Sequence, residues 1–216
     1  MTGGSEGWEA TFHRANELWH SGRRDAAVAV LEAARADSAT QSDTENEAFF
    51  ASVLGSYQSL LGNTECALKE YQSAVDCEPG NPYWRLSLSE YLLSIGDAVR
   101  ALHEVRASID LIPTTERSTR HSARSLEGLC LLAQGQIGAA QAAFLLATEP
   151  HLVDGLRASS YDLRLVDGMC IRNLESSRCE QYLKVVIASA EAEARSEIRE
   201  HASDLLRLLK SADQEQ

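Results

Sequence analysis

Four glycines do more than any other feature to limit what this chain can fold into. Gly22, Gly62, Gly96 and Gly135 each close an apolar helical stretch, and each is followed five residues later by an alanine: Ala27, Ala67, Ala101 and Ala140. Four residues beyond each alanine stands a larger apolar residue, Leu31, Tyr71, Val105 or Phe144. Three residues further on comes a small one, Ala34, Ala74, Ser108 or Ala147. Seven residues before each glycine the chain is small again, at Ala15, Gly55, Ser89 and Gly128. A glycine takes positive φ at a helix C-terminus without a Cβ clash, so it ends one helix and lets the chain double back. Spacings of three and four keep the small and large residues on one helical face, where small residues permit close approach and large ones fill the next layer. A pair of helices this thin encloses no core alone, so neighbouring pairs must stack.

In this pattern the chain resembles the tetratricopeptide repeat family, whose unit is a 34-residue helix-turn-helix. Residues 48–81 carry it through Leu54-Gly55, Gly62-Asn63, Ala67, Tyr71, Ala74 and Pro79, and residues 82–115 through Leu88-Ser89, Leu92, Gly96-Asp97, Ala101, Val105 and Pro113. The segment 121–150 keeps Gly128, Leu131, Gly135, Ala140, Phe144 and Ala147, and 8–41 keeps Ala15, Leu18, Gly22, Ala27, Leu31 and Ala34. The resemblance implies an all-α fold: a right-handed α-solenoid of four hairpins over 8–150, in one domain, closed by a C-terminal capping helix. The steps from Gly22 to Gly62 and from Gly96 to Gly135 exceed 34 residues, and cap-forming residues open each insertion, Ser42-Asp43-Thr44-Glu45 and Thr114-Thr115-Glu116. Longer first helices are expected there, with Ala36–Thr40 as a mobile joint. Residues 1–7 and 212–216 are expected to be disordered.

Beyond Pro150 the repeat fades. Over 151–211 the pattern predicts a divergent helical hairpin and a long capping helix: a turn at Asp154-Gly155, a helix over Ser159–Ile171, then apolar residues at steps of three and four from Cys179 to Leu209. The stretch 177–211 reads as one amphipathic helix or as two broken near Ser189–Ala192. Arg195, Glu197, Arg199 and Glu200 offer the polar outer face that a solenoid cap needs, and a homodimer through this helix is the alternative use of its apolar face.

Composition excludes several functions. Thirty-two acidic against twenty basic residues give a net charge of −12, which disfavours nucleic acid and anionic membrane as partners, because affinity for either comes from clustered Lys and Arg. No stretch approaches a membrane span, and the N-terminal residues show no leader pattern, so a cytoplasmic protein is expected. The five cysteines, at 66, 77, 130, 170 and 179, read as small apolar fillers, although a Cys170–Cys179 bridge is conceivable. No catalytic motif or phosphate loop is present, and no cofactor is expected. His13, Glu17 and His20 have the i, i+4, i+7 spacing of a metal site but lack a fourth ligand in register, so a solvated face is the simpler reading.

In the resembled family the first helix of each hairpin lines a concave groove for a peptide or helix. Carried onto this chain, that phase places Phe12, Asn16 and Trp19 in the first unit and Phe49, Ser52 and Ser56 in the second. Tyr83, Leu86, Glu90 and Leu93 follow in the third, and Leu129 in the fourth. The Lys, Arg and Asn clamp by which some members hold a terminal carboxylate is missing, since only Asn16 fits it. The expectation is a non-enzymatic scaffold, adaptor or chaperone-like module with a largely apolar groove. Its alternatives are a secretion-type chaperone, a small-molecule or peptide sensor, and a groove filled by the chain's own termini.

Overall fold

The computed structural model describes residues 5–214, as twelve α-helices and one 3-10 turn with no strand among them. The chain divides into two compact units that meet in sequence at Ile95 and Gly96, within the stretch 82–115 read as one hairpin.

The first unit holds α1 (Ser5–His20), α2 (Arg24–Thr40), α3 (Thr44–Leu60), α4 (Thr64–Cys77) and α5 (Pro82–Ser94). Each helix packs against the next. The turns explain why. Gly22 and Gly62 take φ +83° and +79°, and the residue after each donates its N–H back into the last helical turn, Arg23 to Leu18 and Asn63 to Gln58, both at 2.9 Å. This is the paired-bond stop that satisfies a helix's last carbonyls while reversing the chain. Ser42 does the same between α2 and α3 at φ +57°, without being glycine. Asp43 caps α3, its carboxylate accepting from the Asn46 N–H at 3.1 Å, as its acidic cap sequence predicts. Ala36–Thr40 are not a joint. They form the last turns of α2, because the lengthening was taken up by helix.

Small residues in this unit hold close contacts. Ala15, Ala27, Leu31 and Leu54 are buried together with Phe50 and Tyr57. A Cβ at position 55 would stand 3.0 Å from the Tyr71 ring, so Gly55 is the floor on which that ring lies. Ala48, Ala51 and Ala74 form a second cluster, covered by Cys77 and Trp84. Tyr91 of α5 ties back to α4 by donating its hydroxyl to the Thr64 carbonyl at 3.0 Å.

The second unit holds α6 (Ala98–Leu111), α7 (Arg117–Ala133), α8 (Ile137–Ala147), α9 (Pro150–Val153), a 3-10 turn (Ala158–Ser160), α10 (Leu163–Ile171), α11 (Ser176–Ala192) and α12 (Ser196–Gln214). Its centre is α7, which packs against α6, α8, α9 and α10. The buried Ala140, Phe144 and Ala147 of α8 are the small and large residues that follow Gly135 in the repeat. The predicted helix Ser159–Ile171 is divided, because Asp162 leaves helical geometry to cap α10, accepting from the Arg164 N–H at 3.0 Å.

Of the two readings of 177–211, the broken one holds: α11 and α12 are separate helices, turned at Ala194 with φ +54°, just beyond the expected break at Ser189–Ala192. The Arg195 N–H closes that turn on the Ala190 carbonyl at 2.8 Å. Residues 5–7 belong to α1 and 212–214 to α12, while the remainder of the two expected disordered ends, 1–4 and 215–216, lies outside the described residues. The apolar face of α12 that could have served a dimer, Ala202, Leu205 and Leu209, is buried in its own unit, where α12 packs on α10 and α11. Arg195, Glu197, Arg199 and Glu200 are exposed. No described helix is long and apolar enough to cross a membrane.

Candidate interaction site

The groove positions of the first unit lie on α1, α3 and α5. On α1, Phe12 meets the edge of Phe49 with ring centroids 5.4 Å apart. Asn16 accepts from the Tyr57 hydroxyl at 2.7 Å, and Trp19 leans on the Tyr57 ring at 4.1 Å with the Arg24 guanidinium 5.5 Å from its centroid. On α3, Phe49 is half-buried among Trp8, Phe12 and Phe50, so alanine there removes core packing as well as a surface. Ser52 is half-buried, while Ser56 is exposed and its hydroxyl is 2.9 Å from that of Tyr71. Burial raises the pKa of both Tyr57 and Tyr71, so these phenols stay neutral hydrogen-bonding partners. On α5, Tyr83 is 48% exposed, Leu86 and Leu93 are half-buried and Glu90 is exposed. Leu129 lies on α7, half-buried in the second unit, and is described with that unit alone.

A cleft of about 380 Å³ opens beside this face, lined by Trp8, Asp43, Glu45, Asn46, Phe49, Asn81 and Trp84. It is built from the start of α1 and the N-terminal ends of α3 and α5. Asp43 and Asn81 are there because those helices need caps: Asp43 holds the Asn46 backbone and side-chain amides at 3.1 and 2.6 Å, and the Asn81 carbonyl oxygen accepts from the Tyr83 N–H at 3.0 Å. Trp8 meets Phe49 edge-on at 4.8 Å, and the Trp84 indole N–H donates to the Glu78 carboxylate at 2.6 Å. Of these residues only Phe49 is among the expected groove positions; Trp8 precedes Phe12 by one helical turn and Trp84 follows Tyr83 by one residue. The signal that could have found them is scarcity, since two of the chain's three tryptophans line this one cleft.

The second unit gathers its titratable groups inside. His121 is fully buried: its Nδ1 lies 2.9 Å from the Ala147 carbonyl, so that nitrogen carries the proton, and Nε2 accepts from the Asp162 N–H at 3.2 Å. The Tyr182 hydroxyl lies 3.0 Å from Nε2 and 3.2 Å from the Asp162 carbonyl. Burial lowers the His121 pKa and raises that of Tyr182 well above the usual phenol value. Glu127 is buried between Arg106 and Arg124, at 2.9 and 2.8 Å. These are closed networks, and among the described residues no buried side-chain nitrogen or oxygen lacks a partner. His13, Glu17 and His20 are exposed on α1, and no group of three potential ligands close enough to hold a metal occurs among the described residues. Cys170 and Cys179 are buried free thiols.

No protein-family model matches the sequence, and no curated protein matches it by sequence. Solved structures do match the fold. A thermophilic TPR protein of Thermus thermophilus superposes with a TM-score of 0.62 at 16% identity, covering 92% of this chain and 98% of its own. MamA residues 41 to the end from Desulfovibrio magneticus RS-1 give 0.57 at 13% identity over 97% and 96%. PilW, a type IV pilus biogenesis factor, gives 0.56 at 14% over 95% and 97%. With the glycine-stopped turns, the small-residue contacts and these superpositions together, the fold of this chain is that of the tetratricopeptide-repeat proteins.

Proposed function

We propose that this protein is a non-enzymatic interaction module that receives a peptide or amphipathic helix of a partner protein on the first unit. The observation that carries the reading is the run of half-buried or exposed apolar side chains on α1, α3 and α5: Phe12, Trp19, Phe49, Tyr83, Leu86 and Leu93. Aromatic residues left partly open at a helical face supply large contact area at low entropy cost, and they are the residue types that anchor interfaces. The buried ionisable groups of the second unit support the same reading, since His121, Tyr182 and Glu127 already have partners inside the fold.

The test is affinity capture from the native cell with mass spectrometry, comparing the natural chain with Tyr83→Ala/Leu86→Ala. Tyr83 is the better target than Phe49 because it is the more open to solvent, so its removal leaves the core in place. Loss of one captured protein, with helical content unchanged by circular dichroism, is the expected result. Undiminished capture by a folded double variant refutes this face as the site.

A further inference from the structure

We propose that the cleft over Trp8, Phe49 and Trp84 is a subsite for a basic side chain, the arginine or lysine of a partner peptide. The inference rests on the peptide-binding reading above and names the chemistry of its anchoring residue. Three aromatic rings line one opening of about 380 Å³, within the size range of ligand sites. The faces of such rings attract cations, tryptophan most strongly. Trp84 is further tuned for this, because its indole N–H donates to the Glu78 carboxylate at 2.6 Å, which pushes electron density into the ring.

The charges agree. Asp43 and Glu45 stand in the lining, the Glu78 carboxylate accepts the Trp84 indole N–H, and none of the lining residues is basic. Two features oppose a cation. The N-terminal ends of α3 and α5 each present about half a positive charge, and Arg85 follows Trp84 on α5. Arg85 donates to the Pro79 carbonyl at 3.2 Å. Three carboxylates outweigh these contributions and leave the cleft anionic. The surrounding sequence points the same way, since residues 45–80 hold six acids and a single base, Lys69. A guanidinium or ammonium therefore meets aromatic rings and a carboxylate together, whereas a carboxylate or phosphate meets like charge.

The experiment titrates the full chain with an acetylated, amidated peptide of four alanines around a central arginine, and with its norleucine counterpart, following the indole N–H signals by ¹H–¹⁵N NMR. The expected result is a saturable shift of the Trp8 and Trp84 signals with Trp19 unmoved, and binding about tenfold weaker for norleucine. The arginine peptide is also expected to weaken several-fold between roughly 50 and 500 mM NaCl, as a surface charge contact should. Glu45→Gln, an exposed change that leaves the fold intact, is expected to weaken it about threefold. Equal affinity for both peptides at Trp8 and Trp84 overturns the cation subsite and leaves the peptide-binding reading standing. An arginine-dependent shift confined to Trp19 overturns this location for it. No shift with either peptide overturns the cation subsite, while the capture experiment with Tyr83→Ala/Leu86→Ala decides the peptide-binding reading separately.

Discussion

The turn at Ala194 supplies a sharp test of the hairpin geometry. Its backbone is left-handed at φ +54°, a conformation that costs an L-residue with a Cβ roughly 1–2 kcal/mol. Ala194→Gly removes that cost and returns about 0.4–1 kcal/mol of it through the greater entropy of the unfolded chain. The net expectation is stabilisation by about 0.5–1 kcal/mol, or roughly 1–4 °C in the melting temperature of a chain this size. Ala188→Gly is the matched control: the same chemical change at an exposed site inside α11, expected to cost about 1 kcal/mol. Calorimetry on both variants reads the comparison, and the transition that should move is that of the second unit. Two variants shifting in the same direction would refute the assignment of residue 194 as a left-handed helix stop.

Other consequences follow from the same contacts. Burial keeps His121 neutral when folded, so the unfolded chain binds the extra proton: stability should be intact above about pH 6.5 and fall below it by up to about 1.4 kcal/mol per unit, a slope that His121→Gln should remove in urea titrations. A Cβ on residue 128 would lie 2.5 Å from the buried Leu165 Cδ2, so the overpacking in Gly128→Ala should outweigh the roughly 0.5–1 kcal/mol that alanine gains inside a helix and lower the melting temperature. Ala67→Leu, in a fully buried hairpin contact, should cost about 1–3 kcal/mol, and an unchanged melt would contradict the packing register. A thiol reagent should modify the exposed Cys66 in the folded state and reach the buried Cys130, Cys170 and Cys179 only on unfolding.

What could be read in the amino-acid order depended on how each feature is encoded. The turns at Gly22, Gly62, Gly96 and Gly135 were legible because glycine is the usual residue for positive φ. The turns at Ser42 and Ala194 have the same backbone hand, but serine and alanine carry no such mark, so the α11–α12 break stayed undecided. Helical phase placed Phe12 and Phe49 on faces that do meet. Phase says nothing of where a polar group finds its partner, and Asn16 and Ser56 prove to be engaged with Tyr57 and Tyr71. The cleft was invisible for a different reason: it joins the first turns of three helices, and periodicity within one helix does not say which helix ends come together.

The boundary at Ile95 and Gly96 also bears on how such a chain can be cut and recombined. Sequence repetition pairs α5 with α6, yet α5 coheres with the helices before it, where Trp84 covers Ala48, Ala51 and Ala74. Duplicating or deleting a repeat at 81/82 would strip that alanine cluster of its lid, whereas exchange at 95/96 leaves it whole. The unit of inheritance that the repeat suggests and the unit of cohesion are out of step by one helix, and gene fusions should tolerate the second cut better than the first.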